Sequence, residues 1–318
     1  MIHLRPYTAA DRELWDAFVR ESRDGTFLFE RAYMDYHADR FHDHSLLFFD
    51  NKERLLAVLP ANECDHQLYS HQGLTYGGLV LAPRAVSADV SAMLGLLVDH
   101  ARSAGFSAVH YKPVPSVYHR QPAGEDVYFL WRMGARTEFC NLSSAVDLHS
   151  DFAGIRAEYC RRNVHARLLR GGYTVDREAP LAEYWPMLTD TLLSRHGASP
   201  VHTLGEMERL QLAFPGRILC CLVRNAAGEA EGGVVLFRTD RVMHVQYSAS
   251  TPAGRHTSAL DFLYMTLLED CRADSRLRYF DFGTSNEDGG RILNESLIHF
   301  KESFGGRGVV YEGYCIDV

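Results

Sequence analysis

Sixteen histidines are scattered through the 318-residue chain, and two stand where a helical pattern gives way to a loop: His196 in SRHG and His202 in SPVHT. Imidazole titrates near neutral pH, so a histidine so placed can take a proton from an ammonium group. Asp281, in the run RYFDF, and Glu287 beyond it flank a predicted strand end. The order of candidacy for a general base is His202, then Asp281, then His196. A loop histidine is as readily a solvated one, and an aspartate after aromatic residues is as readily a satisfied structural acceptor.

A second kind of chemistry is written in YSASTPAGRHTSALDF, where a strand ends, a turn with Pro252 and Gly254 follows, and a helix begins with Thr257 or Ser258 as its cap. Backbone N–H groups and the positive end of a helix make an anion site. Ser248, Ser250, Gly254, Arg255, His256, Thr257 and Ser258 are its candidate residues, and the arrangement suits a pyrophosphate. Helix starts of this kind also occur with no ligand.

Groups able to stack on a base or hydrogen-bond a sugar cluster in YSHQGLTYGG (Tyr69, His71, Gln72, Tyr76) and in Tyr118, His119 and Arg120. Ordinary sheet packing with tyrosine hydroxyls at the rim explains them equally. Thr284 and Ser285 open a polar run where a strand meets a helix, and Asn294, Ile298 and Lys301 share one face of that helix. They line a cleft or form a surface network. Arg195 and Tyr247 complete the set of candidate substrate contacts.

These residues need a scaffold. In the first half a short strand leads into a helix with Leu14, Phe18 and Val19 on one face; runs at 45–49 and 55–59 make a hairpin; a strand follows at 67–70; and a helix over 87–103 returns through FSAVHY. In the second half YTV precedes a helix over 181–195, three strands at 218–223, 232–237 and 242–249 form an antiparallel meander, and a helix, a strand at 278–282, a helix over 289–303 and a last strand close the chain. The element order repeats, which predicts two copies of one mixed α/β unit, 1–150 and 151–318. Between them DFAGIRAEYCRRNVHARLLRGG reads as a basic amphipathic helix stopped by Gly171 and Gly172. It is a solvated face, or a place where Arg161, Arg162 or Arg170 meets ligand phosphates.

Composition narrows the class. Apolar residues make up 46% and charged residues 23%, as in globular proteins, and a net charge of −8 gives no global field for nucleic acid. The N-terminus lacks the apolar run of a secretory signal, and no segment approaches a membrane span, so a cytoplasmic protein without membrane insertion is expected. Seven scattered cysteines without a CxxC pair suggest neither a disulfide framework nor a zinc site. Oligomeric state stays open.

The closing segment FDFGTSNEDGGRILNESLIHFKESFGGRGVVYE resembles that of FemAB-related GNAT proteins found among sugar N-acyltransferases. LYSHQGLTYGGLVL, YKPVPSVYHRQPAGEDVYFLWRMGA and LLSRHGASPVHTLGEMERLQLAFPG also resemble that group, so the likeness spans most of the chain. The resemblance implies two tandem GNAT-like domains, each a mostly antiparallel sheet flanked by helices. It further implies an acyl-CoA donor in the second domain, no metal, and an acceptor amine in the cleft between the domains. It makes 247–250, the exposed end of the strand at 242–249, the place where a backbone N–H polarises the thioester carbonyl. AGRHTS keeps one glycine and an arginine of the GNAT pyrophosphate motif, not its full spacing.

The leading expectation is an enzyme passing an acyl group from acyl-CoA to the amine of a nucleotide-linked deoxyamino sugar for surface polysaccharide or lipopolysaccharide synthesis. A Fem-like aminoacyltransferase acting on a peptidoglycan precursor is the second reading, weakened by the lack of a long helical insertion. A noncatalytic binding protein on a GNAT scaffold is the third.

Overall fold

The computed structural model describes residues 1–150 and 156–318, and the side chains of 156–159 and of His196 lie outside that description. Contacts divide the chain into one unit made of Met1–Leu142, Asn286–Leu293 and Val309–Val318, and another made of Ser143–Ser285 and Asn294–Gly308. The last ten residues close the second repeat in sequence order yet count with the N-terminal unit. The reason is strand pairing: Tyr314 to Asp317 lie opposite Tyr111 to Ala108 in an antiparallel ladder.

In the N-terminal unit one antiparallel sheet runs His3–Pro6, Leu46–Phe49, Leu55–Leu59, Val80–Leu81. The predicted hairpin is present, its turn tied by Asp50, whose carboxylate accepts the N–H groups of Lys52 and Arg54. Strand Gln67–Tyr69 runs parallel to Ala108–Tyr111. Helix Ser87–Ser103 matches its apolar spacing, burying Val90, Met93, Leu94, Leu97 and Ala101. In helix Arg12–Glu21 Val19 is buried as expected, but its buried companion is Trp15 and not Leu14, which is exposed. The indole N–H of Trp15 donates to the Phe29 carbonyl at 2.7 Å, satisfying the one polar atom that burial would orphan.

The C-terminal unit holds a sheet in the order Thr174–Asp176, Ile218–Arg224, Ala230–Arg238, Val242–Ser250, Tyr279–Thr284, then residues 143–147 of the strand Arg136–Asp147. The predicted meander forms its second to fourth strands. Val242–Ser250 and Tyr279–Thr284 are parallel, and a parallel pair needs a crossover, here helix Ala259–Ala273. That helix buries nine of its residues, Phe262, Leu263 and Leu267 among them, in the core of the unit. The basic helix is present as Arg156–Arg170 and packs on it, with the His165 ring stacked on Phe262.

Two helix starts depart from the sequence expectation. The helix expected from Thr257 or Ser258 starts earlier, at Pro252, with Thr251 as cap; the chain breaks at Ser258 (φ 66°) and resumes as Ala259–Ala273. Proline at the first helical position costs no hydrogen bond, which explains the earlier start. The helix expected over 289–303 spans only Glu295–Glu302, because Gly289 and Gly290 sit at φ 60° and 96° and Asn294 caps it through the N–H of Leu297. Among the described residues, no helix is long and apolar enough to cross a membrane.

Candidate active site

The site in the C-terminal unit begins as a fault between two strands. Val242–Ser250 pairs with Tyr279–Thr284 only from Val242/Tyr279 to His244/Asp281. Beyond that point residues 245–250 stay on the ladder of Ala230–Arg238, whereas the other strand bends at Gly283, which sits at φ 77°. The two strands part as a wedge. At its mouth Leu236 opposes Val245 and Val235 opposes Tyr247, so Gln246 is an extra residue with no opposite partner. Such a bulge re-aims the backbone and the next side chain.

At the apex lies Asp281, with no exposed surface. Its carboxylate accepts from the Ser143 hydroxyl at 2.5 Å, the Gly283 N–H at 3.0 Å and the His244 ring at 2.9 Å. With both oxygens engaged by donors, it orders the apex. Lys301 is also buried, its Nζ donating to the carbonyls of Gly283 (2.8 Å) and Thr284 (2.7 Å). Burial lowers its pKa to about 8 against the opposing pull of Asp281. Ser285 is buried nearby in sequence, and Asn294 serves as helix cap.

One lip carries Tyr247 and His202. Helix Leu181–His196 ends at Gly197 in the left-handed region, and helix Leu204–Ala213 starts from the Thr203 cap, so His202 is the last residue of a short connection. Its backbone N–H reaches the Tyr247 oxygen at 3.3 Å, and its Nδ1 lies 2.7 Å from the same oxygen. That oxygen also takes hydrogen bonds from the Gln246 side chain and the Val201 backbone, while burial raises the tyrosine's pKa. With its lone pairs engaged, the hydroxyl hydrogen goes to His202 Nδ1, which puts the ring proton on Nε2. Trp185 and Phe237 pack edge-on around the pair. Deeper, Tyr264 donates to Ser248 at 2.8 Å, and Tyr184, fully buried, holds a hydroxyl with no partner among the described residues.

The anion segment is closed by its own contacts. The Thr251 N–H donates to the Glu231 carbonyl, the Gly254 N–H to Thr251 Oγ1, Arg255 to the Ser250 carbonyl, and Thr257 to the Glu231 carboxylate at 2.7 Å. Burial would raise the Glu231 pKa, but hydrogen bonds from Thr257, Asn225 and Tyr173 leave it lowered. A Cβ on Gly254 would lie 1.9 Å from the Glu231 carbonyl, so this glycine allows two backbones to touch. Arg255 and His256 keep exposed surface. In the next helix the first-turn Asp261 pairs with Arg161, whose guanidinium also donates to Ser303 and stacks on Phe300 and Phe304. Arg161 is thereby built into the core of the unit.

The candidates of the N-terminal unit separate into groups. Tyr76 and Tyr118 lie together, ring centroids 4.6 Å apart; Tyr76 donates to Thr26 and Tyr118 shares a hydrogen bond with Tyr311. Gln72 exchanges two hydrogen bonds with Asn62. His71, held at φ 64° and buried, has its pKa lowered to about 3 by desolvation and stacks on His37. Tyr69 stands apart, stacked on His110; His119 bonds the Val114 carbonyl; Arg120 caps the carbonyls of Arg20 and Ser22. Arg195 is exposed at its helix end, and the His196 side chain lies outside the described residues. Sequence reading passed over His244, Ser143, Tyr264 and Tyr184, each an unremarkable residue in an apolar strand or helix.

Residues 156–301 match the sequence profile of the acetyltransferase (GNAT) domain. No curated protein matches the chain. Among solved structures, FemX superposes with a TM-score of 0.69 at 13% identity, covering 99% of this chain and 97% of that one. The L-PGS of Bacillus licheniformis gives 0.60 at 16% identity, covering 95% and 90%. A tandem GNAT protein from the clavulanic acid biosynthesis pathway gives 0.57 at 15%, covering 100% and 98%. The chain therefore has the FemAB-related tandem-GNAT fold. The acyltransferase likeness in sequence lies in residues 156–301, a little under half of the chain.

Proposed function

We propose that the protein transfers an acyl group from a CoA thioester to the amine of a nucleotide-linked deoxyamino sugar, in the synthesis of surface polysaccharide or lipopolysaccharide. The observation that carries the acyl-transfer chemistry is the wedge, with a bulge at its mouth and a hydrogen-bonded tyrosine–histidine pair one residue further on. Resemblance of the closing segment and of the YSHQGLTYGG region to sugar N-acyltransferases supports the acceptor.

In this reading the thioester carbonyl lies in the wedge, where a strand N–H near Tyr247 stabilises the oxyanion. The amine nitrogen attacks the carbonyl carbon, a C–N bond forms and the C–S bond breaks. The incoming amine displaces one donor from the Tyr247 oxygen and passes its proton there as the tyrosine's own proton moves to His202 Nδ1, leaving an imidazolium that can protonate the departing thiolate. Asp281, Ser143, His244 and Lys301 hold the apex open at a fixed width.

Variants at the pair test this relay. His202→Ala and Tyr247→Phe are expected to lower kcat by about 100-fold or more with little change in KM. Wild-type turnover in both would remove the pair from the mechanism.

A second reading has one observation in its favour. The internally satisfied segment around Glu231 leaves few backbone donors for a pyrophosphate, which suits a donor such as aminoacyl-tRNA, recognised elsewhere. Transfer from an aminoacyl donor with none from any CoA thioester would favour it.

A further inference from the structure

One sheet face of the N-terminal unit gathers three residues that no step above uses. His110, Glu138 and Cys315 stand on the strands Ala108–Tyr111, Arg136–Asp147 and Arg307–Asp317, which are neighbours in the sheet. Cys315 lies directly opposite His110 in the ladder. One ligand atom from each, Nδ1, a carboxylate oxygen and Sγ, fall within 4.8 Å of one another.

The hydrogen bonds of His110 make the set unusual. Its Nε2 lies 2.9 Å from Gln67 Oε1, an oxygen that also accepts from the Tyr69 hydroxyl at 2.7 Å. An amide oxygen only accepts, so Nε2 carries a proton and Nδ1 is the ring nitrogen on the other side. That side faces both oxygens of Glu138, at 2.8 and 2.9 Å. A ring nitrogen and a carboxylate at that distance share a cation, either a second ring proton or a metal ion. An imidazole whose far N–H is fixed by an acceptor is the arrangement in which histidine binds metals.

We propose that His110, Glu138 and Cys315 form a site for a zinc-class divalent ion, with water or Asp317 as the fourth ligand. One imidazole, one carboxylate and one thiolate suit a borderline-soft ion. Tetrahedral bonds of about 2.0–2.3 Å place ligand atoms about 3.3–3.7 Å apart, so the Nδ1–carboxylate contact opens by under ~1 Å on binding. Arg136 is the neighbouring cation, its Nη2 3.5 Å from Sγ and paired with Asp317 at 2.9 Å. At 63% side-chain exposure it is free to swing outward. Binding forms the metal–sulfur bond as the S–H proton leaves to solvent. The ion clamps three strands of the unit.

Titration of the full-length protein, freed of metal by chelation, with Co2+ tests this. A thiolate-to-Co2+ charge-transfer band saturating at one equivalent and erased by Zn2+ is expected. It is lost in Cys315→Ser and His110→Ala and kept in Cys160→Ser. Gln67→Ala, which leaves all three ligands in place, is expected to weaken Zn2+ binding about 10–100-fold. Absence of the band in the wild-type protein, or its survival in Cys315→Ser, overturns the site and leaves a histidine–glutamate ion pair.

Discussion

His202 stood out as a histidine in a loop just after a helical pattern, and in the structure its Nδ1 lies 2.7 Å from the Tyr247 oxygen. Asp281 was legible as a carboxylate at a strand end, but its three donors make it an organiser of the apex. His244 and Ser143, which supply two of those donors, lie 37 and 138 residues from it in sequence. No local pattern announces such a meeting. The metal-site residues were hidden for the same reason, since spacing rules find ligands close in sequence and these come from separate strands. His71 shows how burial overrides residue type, its pKa lowered by desolvation to about 3 from 6.5. A histidine that is neutral when folded stabilises fully above pH 6.5, and that contribution is lost as pH falls toward 3. Replacing it with asparagine, which tolerates positive φ, should remove one bound proton from the linkage. The slope of unfolding free energy against pH in that window then falls by up to about 1.4 kcal/mol per pH unit, measurable by denaturant titration.

At the scale of elements, helical periodicity found Ser87–Ser103, which buries one face, and continuous apolar runs set off by polar turns found the hairpin and the meander, whose strands Leu46–Phe49, Leu55–Leu59 and Ala230–Arg238 are buried along nearly all their length. Periodicity missed helix Leu204–Ala213, although its capping box, Thr203 with Glu206, was there to be read. It also placed the start of the crossover helix too late, because Thr257 looks like a cap but its hydroxyl serves Glu231. What Gly254 does is a matter of packing between elements: only the absence of a Cβ lets helix Pro252–Thr257 rest on the strand beside it. Gly254→Ala should therefore destabilise the unit by ~1–3 kcal/mol, the range for overpacking. A thermal midpoint equal to that of the wild type would show that the two backbones are not in contact.

For the whole molecule, duplication of element order was readable, whereas the interleaving of segments was not. The strand Arg307–Asp317 ends the sequence, yet Tyr311, Tyr314, Cys315 and Ile316 are buried, and Val309–Val318 belongs to the N-terminal unit. A fragment of residues 1–150 lacks this strand, which sits between Arg136–Asp147 and Ala108–Tyr111 in the sheet. It is expected to show no cooperative thermal transition by circular dichroism, because an internal gap exposes unpaired backbone and core side chains together. A sharp transition in the fragment would mean that the closing strand is dispensable.

The central claim is that the wedge in the C-terminal unit works on a thioester. Its most direct test is release of free thiol when the protein is mixed with acyl-CoA species of different chain length and a panel of nucleotide-linked amino sugars. The account predicts thiol release that requires both partners and that matches, mole for mole, acylated sugar detected by mass. No release with any pairing, together with transfer from an aminoacyl donor, would contradict it.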